Sequence, residues 1–566
     1  TGLTGTTSSA FAVTPGAATR LVYLVQPSTV AAGASITPAP QLEIQDLAGN
    51  RVTGATNAVT VAIGTNPGGS TLGGTTTVNA VAGVATFGTL TLNRTSAGYT
   101  LAANATGLTG ATSSAFTVNP GAATALAVTS APTTGQSGAV LTPSLVVRMV
   151  DANGNTVPTT GTTVTAALAS GAGTIGGTLT AGTVSGVATF SNLVLTGTAG
   201  NYTINLGATA LTSVTTGAIA LSAGAPASLV FQVQPSSVAS GAPISPAVVV
   251  RVLDGGGNLV PTATNAISIG LGANPGASTL SGTTSVNAVG GVATFSTLSL
   301  NRTGTGYTLT ASSGGLTGAT STAFTVTPGA ANRLAYVVQP TAATAGATIS
   351  PAPQVEIQDV DGNRVTGSTA AVTLALGANP GGSTLGGTAT VNAVAGLATF
   401  STLSLNRTGT GYTLAATSGA LTGATSAAFN INPGVATALA ITTAPTTGQS
   451  GVVFAPQPVI RLVDANGNTV PNNSVTITAA LASGSGTLGG VLTAVTTSGV
   501  ASFSSLALTG TAGTYTLNFS AGGLTAVTSG AITLSAGAPA AVAFLVQPST
   551  VTAGALVTPA VQVRVM

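Results

Sequence analysis

Five times in this 566-residue chain an aspartate opens the pattern D-x-x-G-N, at Asp46, Asp151, Asp254, Asp359 and Asp464. Oxygen-bearing side chains alternate through three of these turns, as they do in a calcium loop. The sets are Asp151, Asn153 and Asn155; Asp359, Asp361 and Asn363; and Asp464, Asn466 and Asn468. A hard cation takes six or more oxygens, commonly several from carboxylates. "DANGN" supplies one acid, and "DLAGN" and "DGGGN" have no oxygen at the middle position. The pattern therefore reads as a hairpin turn in which the Asx side chain bonds the backbone and the glycine takes positive φ. No metal ion and no cofactor is expected.

Other chemistry is limited by what the chain lacks. It has 11 arginines and 8 acids, with no lysine, histidine, cysteine or tryptophan. A serine or threonine nucleophile would have no ordinary base beside it. The remaining acids sit at turn-associated positions rather than converging as a carboxylate pair: Glu43 with Arg51, and Glu356 with Arg364, flank a turn and can pair across strands. "GAGTIG" (Gly171–Gly176) and "GSGTLG" (Gly484–Gly489) fit the dinucleotide fingerprint G-x-G-x-x-G, which needs a helix directly after it. The first of them runs instead into "GTLTAGTVSGVATF", which reads as strand and turn. These residues point to no enzyme and no catalytic residue. The net charge of +3 comes from scattered arginines without a cluster, so no nucleic-acid partner is expected. Apolar runs are short and soon broken by Pro, Gly, Asp or Asn, so no membrane span is expected. Asn93, Asn104, Asn201, Asn301, Asn406, Asn472 and Asn518 stand in N-x-[ST] patterns and make glycans a candidate partner.

The turns are carried by repeats. Tyr99, Tyr202, Tyr307, Tyr412 and Tyr515 each follow a phenylalanine by twelve positions, namely Phe87, Phe190, Phe295, Phe400 and Phe503. A junction glycine precedes each motif aspartate by thirty positions: Gly16, Gly121, Gly224, Gly329 and Gly434, with a sixth at Gly537. Two unit types alternate, A with "VQPS" or a relative near its start and B with "APTTGQSG". The units expected are type A at 17–121, 225–329 and 330–434 and type B at 122–224 and 435–537. They are flanked by the last strand of a truncated unit at 1–16 and the start of another A at 538–566. Both ends read as cut inside units, a window on a longer array.

Within a unit the hydrophobic period is two, with no sustained helical pattern. In "PQLEIQD" Leu42 and Ile44 share one face while Glu43 and Gln45 share the other. Strands are expected at "RLVYLV", "PQLEIQD", "AVTVAI", near "STLGG", and at "GVATF", "YTLAA" and "SAFTV". About seven short strands in about 100 residues, broken by Gly, Asn and Pro, predict an all-β tandem array of immunoglobulin-like sandwiches. Ala293 and Phe295 have one parity and Leu298 and Leu300 the other, which predicts a bulge or bend at Ser296–Thr297. After "NRTGTG", Tyr307 is expected to open the next strand as a tyrosine corner, its ring inward and its hydroxyl bonded to the turn backbone, with Tyr99, Tyr202, Tyr412 and Tyr515 in the same role. Without cysteine or tryptophan, each core rests on aliphatic burial, for which about 100 residues suffice.

The D-x-x-G-N turn, "GVATF", "GTGYTL" and the Pro-Gly-Ala junction, in fixed register over the whole chain, resemble the bacterial immunoglobulin-like repeats of invasin- and intimin-type adhesin stalks and giant bacterial surface proteins. The resemblance implies an extracellular, non-enzymatic spacer whose partners are neighbouring repeats of the same or an identical chain. It carries over no binding residue. The neutral surface leaves open a filament or sheath subunit built by repeat–repeat contacts, and direct binding of carbohydrate or another surface by the repeated faces.

Overall fold

The computed structural model describes residues 5–566, and every regular element in it is a strand. In the first complete repeat the chain forms β1 (Arg20–Val25), β2 (Val30–Ala31), β3 (Gln41–Gln45), β4 (Ala58–Ile63), β5 (Leu72–Gly73), β6 (Thr77–Asn79), β7 (Val84–Thr86), β8 (Thr91–Leu92), β9 (Ser96–Tyr99), β10 (Leu101–Asn104), β11 (Ala111–Thr112) and β12 (Phe116–Asn119). The alternation along β3 turns Leu42 and Ile44 inward to full burial and leaves Glu43 and Gln45 half-buried. One sheet runs β1-β3-β7. The other is β11-β10-β4-β6, extended through β9 to β12 and β2, because only Thr100 separates β9 from β10. β2 runs parallel to β12, with Val30 opposite Val118, and the other pairings are antiparallel. In the second repeat one strand, Gly200–Gly207, replaces the β9/β10 pair, and the larger sheet is continuous.

Five separate cores of buried side chains follow one another along the chain, Leu21–Val118, Leu126–Leu221, Leu229–Val326, Leu334–Ile431 and Leu439–Leu534. Each tyrosine of the repeat series lies in the same core as the phenylalanine of twelve positions earlier, and Tyr99, Tyr307 and Tyr412 have Phe116, Phe324 and Phe429 as ring neighbours. The protein is a tandem array of immunoglobulin-like β-sandwiches.

The parity change expected as a bulge or bend takes the form of a bend, at Thr297 and at the equivalent turn after Phe87: β7 ends at Thr86, the chain leaves its sheet, and β8 pairs with β5, so Phe87, Leu90 and Leu92 are all buried. Two expectations are corrected. In the A repeats the tyrosine closes a strand rather than opening one, whereas Tyr202 and Tyr515 stand near the start of Gly200–Gly207 and Gly513–Ser520. β9 begins at Ser96 and pairs with β12, and the register irregularity falls there, around Gly98 at φ +89°. Its left-handed backbone lets Tyr99 re-enter register opposite Phe116. Of residues 1–16, expected as a strand, Thr1–Thr4 lie outside the described residues and 5–16 form none. Phe11 and Val13 are exposed there, whereas their counterparts Phe116 and Val118 are buried between β2 and β9. A strand has no ladder without neighbours to complete it.

Candidate functional site: the joint between repeats

The repeated chemistry converges where one sandwich meets the next. At the second repeat, Asp151 Oδ2 accepts the amide of the junction Gly121 at 2.9 Å, which ties the entry of the chain to the turn. Its Oδ1 accepts the amides of Asn153 and Asn155, each at 2.9 Å, and Asn155 Nδ2 lies within 3.1 Å of both oxygens. Gly154 turns the chain at φ +79°, where a β-carbon would be strained. The same carboxylate–junction bond holds Gly16 to Asp46 (2.8 Å), Gly224 to Asp254 (2.6 Å), Gly329 to Asp359 (2.9 Å) and Gly434 to Asp464 (3.0 Å).

The last residue of the motif crosses to the preceding repeat. Asn155 Nδ2 donates to Asn93 O at 2.9 Å, and Asn155 Oδ1 accepts the amide of Thr95 at 3.1 Å, so one carboxamide grips both sides of Arg94. Asn363 grips Asn301 O (3.1 Å) and Thr303 N (3.2 Å), and Asn468 grips Asn406 O (3.0 Å) and Thr408 N (3.2 Å). Asn258 does the same to Gly197 O (2.7 Å) and Ala199 N (2.6 Å). A carboxamide carries both the donor and the acceptor that this grip uses, on separate atoms.

The gripped turn is the one the tyrosine holds from inside. Tyr99, Tyr307 and Tyr412 donate their hydroxyls to Arg94 O, Arg302 O and Arg407 O, each at 2.8 Å. In the B repeats Tyr202 lies within hydrogen-bond distance of Thr198 O (2.8 Å) and Ala172 O (2.7 Å), and Tyr515 of Thr511 O (2.7 Å) and Ser485 O (3.0 Å). A chain of hydrogen bonds therefore runs from the core of one repeat, through tyrosine, turn, asparagine and aspartate, to the first residues of the next. In "GAGTIG", a β-carbon on Gly171 would overlap the Tyr202 ring, and Gly173–Gly176 is a strand. Those glycines make room for the corner.

Electrostatics favours the charged aspartates. Burial raises the Asp151 pKa, but the hydrogen bonds from the Asn155 side chain and from the amides of Gly121, Asn155 and Asn153 outweigh it and hold the group below the usual carboxylate range. The same balance lowers Asp254, Asp359 and Asp464. Asp46 is pulled down to about 2, first by the Gly16 amide. Of the cation candidates, Asp151, Asp359 and Asp464 have both oxygens turned to N–H donors, and Asn155, Asn363 and Asn468 are spent on the neighbouring repeat. Asn153 and Asn466 donate their backbone N–H groups to Asp151 and Asp464, and Asp361 Oδ2 accepts Ser240 Oγ at 2.7 Å. A ring of N–H donors repels a cation. Among the described residues no three His, Cys, Asp or Glu side chains cluster.

Glu43 pairs with Arg51 at 3.1 Å and Glu356 with Arg364 at 3.6 Å, both partly exposed. Of the glycan candidates, Asn93, Asn301 and Asn406 lie in the gripped turns, with their Oδ1 atoms accepting the amides of Thr71, Thr279 and Thr384, while Asn104, Asn201 and Asn472 are exposed and Asn518 is half-buried. The bridging role of the motif asparagine was not foreseen from the sequence. Its one signal there is a fixed distance, 62 residues from the asparagine of "NRT" to that of the motif.

No family model and no curated protein matches the chain. Among solved structures it is similar to FdeC, an Escherichia coli adhesin, at 18% identity over 56% of this chain and 100% of that one, with a TM-score of 0.25. It is similar also to invasin, a bacterial integrin-binding protein, at 14% identity over 74% and 81% (TM-score 0.24). The protocadherin γB4 extracellular domain gives 12% over 92% and 85%, with a TM-score of 0.28.

Proposed function

We propose that the chain is a non-enzymatic, extracellular spacer, a stiff repeat stalk of a bacterial surface adhesin. The observation that carries this reading is the asparagine grip, made at four successive joints by the same atoms on the same turn. Two hydrogen bonds from one side chain, anchored at both ends to buried groups, oppose bending at each joint. The bacterial adhesin setting rests on the resemblance of the repeated motifs. Imaging of the purified chain tests the spacer. Single thin rods support it, and compact or freely jointed particles overturn it.

A second reading, a filament subunit, is favoured by one observation. Val81, Val184, Val289 and Val394 stand at the same place in four repeats, directly before the two-residue turn of a hairpin, and are 70–80% exposed. A row of apolar side chains on a chain with 3% charged residues has little repulsion to keep neighbours apart. Ordered lateral bundles in the same images would favour this reading.

A further inference from the structure

The middle residue of the D-x-x-G-N turn varies, and its variation is matched across the joint. Where an A repeat precedes an A, the upstream residue is Ser240 and the downstream one Asp361. Ser240 Oγ donates to Asp361 Oδ2 at 2.7 Å and accepts Asn363 Nδ2 at 2.9 Å. Where an A precedes a B, Ser240 is replaced by Ala345 and the middle residue is Asn466, whose Nδ2 donates to Ala345 O at 3.0 Å. The other A-to-B joint has Ala32 and Asn153, and Asn153 Nδ2 comes within 2.5 Å of where a β-carbon on the adjoining Gly33 would lie. Where a B precedes an A, the upstream residue is Ser137 and the middle residue is Gly256. A β-carbon there would stand 2.5 Å from Gly197 O and 2.6 Å from Ser137 Oγ.

We infer that these pairs key each joint to the types of repeat on its two sides, so that Ser–Asp specifies A before A, Ala–Asn specifies A before B, and Ser–Gly specifies B before A. The chemistry discriminates in each case. A backbone carbonyl beside Ala345 requires a donor, which an amide has and a carboxylate lacks. A serine hydroxyl with a second donor already on it seeks an acceptor, which the carboxylate supplies. The B-repeat end leaves no room for any side chain. Mismatching an Asp against the alanine end sets two acceptors face to face, and any residue larger than glycine against the B end clashes, so wrong neighbours are rejected by repulsion as well as by lost bonds. The inference concerns the order of repeats and stands apart from the spacer reading: keyed joints are compatible with stalk and filament alike.

The absence of cysteine allows a direct test in the full chain. Spin labels on Thr388→Cys and Thr493→Cys, both exposed, report the joint between the fourth and fifth repeats, and labels on Thr283→Cys and Thr388→Cys report the joint between the third and fourth. Asn466→Asp should replace a single narrow distance peak with a broad one, and adding Ala345→Ser should restore the narrow peak by rebuilding the Ser–Asp key. At the other joint Ser240→Ala should broaden the peak, and adding Asp361→Asn should narrow it again. Unchanged widths in the single variants, or double variants as broad as the singles, overturn the inference. Should one single variant fail to fold, judged by circular dichroism, the other joint decides by the same criterion.

Discussion

The corner tyrosines set the scale of what one side chain contributes. Tyr307→Phe keeps the ring in the third core and removes the bond to Arg302 O, leaving a carbonyl of the gripped turn unpaired. The expected cost is about 1–3 kcal/mol, read as a shift of denaturant midpoint confined to one transition of the array. Tyr202→Phe should cost a similar amount, because its single hydroxyl proton serves one acceptor at a time and Ala172 O keeps the amide of Thr198. Gly171→Ala should be worse than a lost bond, since the new β-carbon meets the Tyr202 ring at a residue held at φ +116°. About 1–3 kcal/mol of overpacking adds to the backbone strain. A variant with unchanged melting would show that the ring is free to move away.

At the level of the turn, the carboxylates decide the response to acid. Their pKa values are depressed in the folded state, so the stability they contribute is fully present above the unfolded value of about 3.9. It is lost as the pH falls through the folded values, about 2 at Asp46. Unfolding midpoints should therefore hold steady from about pH 7 to 5 and fall below about pH 4. A midpoint that rises on acidification would mean that the aspartates are held neutral, against the donors around them. Metal removal should do nothing: with amide hydrogens occupying the carboxylates, a chelator leaves the melting temperature unchanged. A fall reversed by calcium would place a cation in the turn.

For the whole molecule the joints matter more than the cores. Under the spacer reading, strands of up to eight residues at about 3.3 Å each, with the loops at either end, give about 35–40 Å per repeat, and the five repeats should form a rod of about 200 Å. Asn468→Ala removes the grip on Asn406 O and Thr408 N while the fourth and fifth cores keep their side chains. Solution scattering should show a bend appearing at that joint, with a shorter maximum dimension. A profile identical to that of the unaltered chain would mean that junction packing, and not the asparagine, sets the angle.

Period-two alternation was enough to read the all-β sandwich, because burial on one face of a strand is written locally, residue by residue. β2, β6, β8 and β11 were not legible: two or three residues carry no period, and those strands exist only because a neighbouring strand offers them a ladder. The start of β9 was misplaced for a related reason, since "SAGY" is as polar as a turn and becomes a strand by pairing with β12. The D-x-x-G-N turn shows the division most clearly. Its aspartate and glycine follow from local turn chemistry, and the sequence determined them. That its asparagine spends both hydrogen-bonding groups on a turn 62 residues upstream was decided by tertiary structure alone, because a side chain's partner depends on which surfaces the fold brings within 3 Å.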